Sequence, residues 1–152
     1  MTITIVPMCE AHVAEMAELE QVCFSMPWSY IMLRDELLND FAVYYVAEIE
    51  GKVAGYAGIH MIFDDGHITN VAVHPDFRRN GIASALIDKL TRVADRSGVR
   101  KITLEVRESN EAAISLYTGK GFKPTAIRKN YYNLPNENAI LMTRKLTPAT
   151  YI

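Results

Sequence analysis

The chain has 152 residues, 49% of them hydrophobic and 22% charged, with a formal net charge of −2. That length and balance are those of one ordinary globular domain spanning residues 1–152, not of a disordered chain. The charge argues against a broadly basic nucleic-acid-binding surface, and no apolar run approaches the roughly 18 residues of a membrane span.

Residues 2–6 alternate in polarity and are expected to form a first strand. Over residues 10–23, Val13, Met16, Ala17 and Leu19 fall on one helical face. Pro27 disfavours helix at Met26, so residues 24–28 read as a loop. Ser29 then caps a short helix that reaches residue 38. Strands are expected at 41–49 and 53–63, joined by the hairpin signal Glu50-Gly51. Asp64-Asp65-Gly66 turns the chain into a third strand over 67–73, which makes an antiparallel meander. Ile82, Ala85, Leu86, Leu90, Val93 and Ala94 form one stripe of a helix over 82–97, stopped by Gly98. A strand at 101–106 leads to Asn110, the expected cap of a helix that ends near Gly121. Two strands, 123–131 and 139–146, close the chain around a polar loop at 133–138. The order β-α-α-β-β-β-α-β-α-β-β is that of a mixed α/β domain. The N-terminus has no basic segment followed by a long apolar one, so it does not read as a secretory signal. Cys9 and Cys23 fit free, buried thiols of a reducing cytoplasm. His12, His60, His67 and His74 are scattered without metal-ligand spacing, so no metal is expected.

One segment stands out. Val71, Ala72 and Val73 end a strand, and Arg78-Arg79-Asn80-Gly81-Ile82-Ala83-Ser84 opens the next helix. The first N–H groups of a helix have no partner within it, and with the helix dipole they make an anion site suited to a pyrophosphate. Gly81 bends the backbone and leaves no Cβ in the way, and Arg78 and Arg79 add positive charge. The alternative is a glycine that only eases the turn after Pro75. Neither the three-glycine dinucleotide fingerprint nor a P-loop is present.

Downstream, Leu104-Glu105-Val106 precedes Asn110, and the following helix carries Ala113-x-x-Leu116-Tyr117 before Gly121-Phe122. With the Val-Ala-Val-His-Pro strand and Arg-x-x-Gly-x-Ala, these residues make the chain resemble the GNAT superfamily of N-acetyltransferases. The run from Leu104 to Tyr117 and the later Arg128-Lys129-Asn130-Tyr131-Tyr132 resemble the bacterial ribosomal-protein-alanine N-acetyltransferases within it. The resemblance implies a central twisted mixed sheet of about seven strands flanked by four helices. It implies acetyl-CoA as cosubstrate and, as substrate, the N-terminal alanine of small-subunit ribosomal protein eighteen, a basic partner. It implies no direct contact with nucleic acid or membrane. One departure is Ala83, where many relatives have glycine.

Acetylating an amine requires removal of its proton, a donor for the developing oxyanion and a proton for the leaving thiolate. Ile102, Leu104 and Val106 share one face of their strand and Glu105 points to the other. Spacing alone makes Glu105 either a salt-bridged surface carboxylate or a proton acceptor; the resemblance implies the general base. Tyr117 is either a core aromatic beside Leu116 or, as the resemblance implies, the general acid. Asn110 caps its helix and, by the same resemblance, also bonds the cofactor. The resemblance further implies that the strand bearing Val71, Ala72 and Val73 splays from its neighbour and pairs with the pantetheine arm through its backbone. Pro27, Trp28, Tyr131 and Tyr132 are either packing aromatics or the walls of a slot for a chain terminus. The remaining readings are an enzyme of this fold acting on another protein N-terminus, a lysine or a small molecule, and a non-catalytic acyl-CoA-binding module.

Overall fold

The computed structural model describes residues 2–147. Strand β1 (Ile3–Pro7) lies at one edge and pairs antiparallel with β2 (Ala42–Ile49). Between them run helices α1 (Val13–Cys23) and α2 (Tyr30–Asp35). The meander forms as expected: β2, β3 (Lys52–Ile62) and β4 (Asp65–Val73) pair antiparallel in sequence order. Helix α3 (Ile82–Arg96) returns the chain to β5 (Lys101–Arg107), which pairs parallel with β4. Helix α4 (Glu111–Gly119), β6 (Lys123–Tyr132) and β7 (Glu137–Lys145) follow, and β7 inserts between β5 and β6. Among the described residues this gives a seven-stranded mixed sheet, ordered β1-β2-β3-β4-β5-β7-β6, and four α-helices.

Strand alternation sorts the side chains to two faces. On one face α3 buries Ile82, Leu86, Ile87, Leu90 and Ala94 against Ala57, Ile59, Ile68, Ile102, Leu104 and Met142, and α4 adds Tyr117 to the same core. On the other face α1 presents Val13, Met16 and Leu19, and α2 presents Leu33, to Tyr44, Val46, Tyr56 and Ala72. The side chain that changes this pattern is Thr69. Gly58 pairs with Asn70 but the next residue, Ile59, pairs with Ile68, so Thr69 is an extra residue in β4. Such a bulge inverts the alternation beyond it. Ile68 therefore packs toward α3, whereas Ala72 packs toward α1.

Several boundaries differ from expectation for identifiable reasons. The first helix opens with a 3₁₀ turn, Glu10–His12, because the His12 ring turns back and its Nδ1 accepts the Cys9 N–H at 3.0 Å. Ser29 does cap α2, its Oγ accepting the Met32 N–H, but the helix tightens to 3₁₀ over Glu36–Leu38, where the Glu36 carboxylate is drawn to His60 and Tyr44. β4 starts two residues early because Asp65 and Gly66 already pair with Lys101 and Ile102. β7 starts at Glu137, which pairs with Tyr132 and takes two residues from the expected loop. Cys9 is exposed and Cys23 half-buried, so neither is the buried thiol expected. No helix among the described residues is long and apolar enough to cross a membrane.

Candidate active site

Among the described residues the sheet has one parallel contact, and the candidate site is built on it. β4 and β5 pair only at Asp65–Lys101, Gly66–Ile102 and His67–Thr103. Both strands then continue, β4 along β3 and β5 along β7, without pairing each other. A wedge opens between them from His67 onward. Alternate residues of an antiparallel strand direct their N–H and C=O toward the partner. The His74 N–H donates to the Ala54 carbonyl at 2.8 Å, which fixes the phase. Ala72 thus spends its backbone groups on β3, while those of Val71 and Val73 point into the wedge. The Val73 carbonyl accepts from Arg78 Nε at 3.3 Å and from the Cys23 thiol at 3.4 Å. The Val71 edge is free of such contacts among the described residues.

At the wide end of the wedge, a 3₁₀ turn at Pro75–Phe77 leads into the start of α3. The Asn80 side-chain amide donates to the carbonyls of Phe77 and Arg78 at 3.0 and 3.2 Å and folds the loop on itself. Arg79 and Gly81 both have positive φ, 64° and 74°. Gly81 is the N-cap and offers no capping side chain, so the amides of Ile82, Ala83 and Ser84 stay uncapped. A Cβ at Gly81 would meet nothing within 4 Å, so the left-handed backbone rather than protein crowding calls for glycine. The Ile82 side chain is core, and only its amide is available outside. Gly55 lets this helix end approach the sheet: a Cβ there would lie 2.8 Å from the Ala72 carbonyl and 3.1 Å from Ile82.

At the closed end sits Glu105. Its strand buries Ile102, Leu104 and Val106 and turns Glu105 to the opposite face, as alternation requires. One carboxylate oxygen, Oε2, lies 2.6 Å from His67 Nε2, and the other lies 3.3 Å from Arg128 Nε on β6. The His67 hydrogen bond, aided by the positive charge of Arg128, holds the Glu105 carboxyl below the ordinary carboxylate range. Tyr117 projects from α4 into the core, edge-on to Phe122 at 5.9 Å. Burial pushes its phenol up to about 12. Among the described residues its hydroxyl has no hydrogen-bond partner, and none of them carries a buried side-chain N or O without one. The Asn110 Oδ1 accepts the Ala113 N–H at 3.1 Å, the expected cap.

The aromatic residues divide. The Trp28 N–H donates to Glu20 Oε2 at 3.3 Å, which anchors the loop containing Pro27 to α1. Glu20 is itself enclosed and also accepts from Tyr56 and Asn70. Tyr131 and Tyr132 pack edge-to-face at 4.9 Å, and Tyr132 lies 4.5 Å from the Arg107 guanidinium. Between Arg128 and Tyr132 four residues of β6 advance against two of β7, with Asn130 at φ 55°, which takes residues 129–131 out of the ladder while Tyr132 pairs with Glu137. Both phenols are raised, chiefly by burial, with the Glu105 charge adding to each. Among the described residues no aromatic pair joins Trp28 to Tyr131 or Tyr132. Sequence reasoning missed three organisers. Arg107 holds the β6–β7 turn through the carbonyls of Asn133 and Pro135 and the Glu137 carboxylate. Arg128 and His67 flank Glu105. Their only sequence signal was alternation along β4 and β6, which does not reveal pairing across strands.

A mixed sheet opened between two parallel strands, with an uncapped helix at one end of the gap and a carboxylate at the other, defines an N-acetyltransferase of the GNAT type. The model of the Acetyltransferase (GNAT) family matches residues 13–122, and the chain belongs to that family. A ribosomal protein bS18-alanine N-acetyltransferase of Escherichia coli (strain K12) is 35% identical over 126 residues, 82% of this chain and 84% of that one. The crystal structure of the ribosomal-protein-S18-alanine N-acetyltransferase from Escherichia coli superposes with a TM-score of 0.90 at 31% identity, covering 98% of this chain and 97% of that one. A chain of the NatC complex bound to Gag peptide and CoA superposes with a TM-score of 0.86 at 25% identity, covering 97% of this chain and all of that one.

Proposed function

We propose that the protein transfers the acetyl group of acetyl-CoA to the N-terminal alanine of ribosomal protein bS18 in the bacterial cytoplasm. The observation that carries this reading is the wedge itself. Its last closed rung, His67–Thr103, lies beside Glu105, and its free backbone edge runs from there toward the uncapped amides of α3. The likeness to the structure of a ribosomal-protein-S18-alanine N-acetyltransferase, to a complex bound to a peptide and CoA, and to a bS18-alanine N-acetyltransferase at 35% identity supports the substrate.

Acetyl-CoA, when bound, supplies the thioester carbonyl and the leaving thiolate. The chain's own residues do the rest. The amides of Ile82, Ala83 and Ser84, with Arg79 and Asn80 beside them, bind the pyrophosphate at the N-terminal end of the α3 dipole. Val71 and Val73 pair with the pantetheine arm as an added strand would, and one of their N–H groups donates to the carbonyl oxygen. Val73 can accept only if Arg78 or Cys23 gives way at its carbonyl. Asn110 has its Oδ1 committed to the cap and offers its side-chain N–H₂ to the cofactor. Glu105 supplies the negative charge that draws the proton from the amine. Tyr117, protonated at any physiological pH, gives a proton to the departing sulfur. Pro27, Trp28, Tyr131 and Tyr132 border the entry for the chain terminus, where stiff rings suit a small first residue.

The test is turnover on paired peptides. An Ala-starting basic peptide with a free α-amine should consume acetyl-CoA, and the same peptide blocked at its N-terminus but carrying lysines should not. Equal rates would assign a general amine acetyltransferase instead, and no turnover on either would leave a cofactor-binding module.

A further inference from the structure

We propose that His67 is the group that takes the proton from the incoming amine, with Glu105 as the carboxylate that orients it. The proposal deepens the acetyl-transfer reading and rests on it.

Four observations carry it. His67 is the last β4 residue paired with β5, so it stands where the wedge begins. Its side chain is 41% exposed while that of Glu105 is 9% exposed, so an amine arriving from solvent meets the imidazole first. Both Glu105 oxygens are already engaged, Oε2 by His67 at 2.6 Å and Oε1 by Arg128 at 3.3 Å. A carboxylate accepting at both oxygens from positive or polar partners stays ionised and is a poor landing place for an ammonium proton. Finally, an ionised carboxylate can only accept, so His67 Nε2 carries the hydrogen of that contact, and in the neutral ring the lone pair is on Nδ1. Nδ1 has no hydrogen-bond partner among the described residues.

The arrangement is a carboxylate-held imidazole, a recurring form of general base. The charged and titratable groups around it are Glu105 and Lys101 on β5, Arg128 and Tyr131 on β6, His60 opposite it on β3, and Asp65 on its own strand. Glu105 is the one bonded to the ring.

The protons balance as follows. The α-ammonium gives one proton to Nδ1, and the imidazolium so formed pairs with Glu105. The freed lone pair forms the N–C bond as the C–S bond breaks. The departing sulfur takes the Tyr117 proton. The second nitrogen proton, released as the amide forms, returns to Tyr117 through solvent, and the proton on His67 leaves to water.

The experiment compares the parent with His67→Gln and His67→Ala on an Ala-starting peptide across pH. Activity of the parent establishes the reaction first, so failure of the acetyl-transfer reading shows there and not in the variants. Acetyl-CoA affinity, measured by calorimetry, reports that each variant is folded. The rate of His67→Gln should fall about 10²-fold near neutral pH, the scale of general-base catalysis. The deficit should shrink above the amine's own titration at about pH 8, because a neutral amine no longer needs a base. Added imidazole should restore part of the His67→Ala rate. A His67→Gln rate near that of the parent would show that Glu105 takes the proton itself. A deficit constant with pH and not relieved by imidazole would show a structural role. Either result overturns the proposal.

Discussion

The two faces of the sheet are built from the same strands and do different work. The face under α3 and α4 is almost wholly apolar: Leu86, Ile87, Leu90, Ile102 and Met142 are completely buried there. The face under α1 and α2 has an apolar centre but is crossed by polar side chains. Glu20, Tyr56 and Asn70 are joined by hydrogen bonds, Tyr44 links Asn70 to Glu36, and Glu36 meets His60 at 2.8 Å. His60 stands opposite His67, which begins the His67–Glu105–Arg128 cluster. Non-directional burial stabilises the first face, and its residues can trade size for size. The second depends on specific donors and acceptors, in which each loss leaves a group unpaired. Apolar burial is thus concentrated on one face and directed polar contacts on the other, with Tyr117 the polar-tipped exception in the first core.

Substitutions on each side should therefore fail differently. The largest effect on activity is expected from Glu105→Gln, which keeps the shape and removes the charge proposed to draw the amine proton. kcat/KM should drop about 10²–10⁴-fold while calorimetric acetyl-CoA affinity is retained. Turnover near that of the parent would make Glu105 a structural ion-pair partner of Arg128 and His67. On the opposite face, Leu90→Ala should cost about 2–5 kcal/mol in denaturant unfolding, through lost transfer energy and the cavity left behind. The kcat of the folded fraction should be preserved. A catalytic defect without loss of stability would erase the division between the faces. The smallest effect is expected from Tyr131→Ala at the rim. Tyr131 is 48% exposed and touches Tyr132 rather than the core, so stability should change little. KM for an Ala-starting peptide should rise severalfold with acetyl-CoA affinity unchanged; an unchanged KM would remove Tyr131 from the entry.

What the sequence made legible follows the same division. The α3 stripe, the Gly81 turn and the Ser29 and Asn110 caps depend on residues a few positions apart, and all are found where local spacing places them. The face to which Glu105 points was also legible, because alternation over one strand suffices. Its neighbours were not. His67 is 38 positions from Glu105, and their contact depends on β4 and β5 pairing in one register for three rungs and then parting. The Thr69 bulge, which sends Ile68 and Ala72 to opposite faces, has no local signal in a run of ordinary strand residues. The buried Glu20 is likewise a tertiary fact: on α1 it reads as part of a polar face until Tyr56 and Asn70 are brought beneath it.

If the wedge serves transfer of acetyl to a protein N-terminus, bS18 is the direct probe. Purified bS18 with a free N-terminal alanine, incubated with the protein and acetyl-CoA, can be digested and its N-terminal peptide weighed. This peptide should gain the mass of one acetyl group while the lysine-bearing internal peptides gain none. Acetyl on the lysines with an unmodified N-terminus would contradict it.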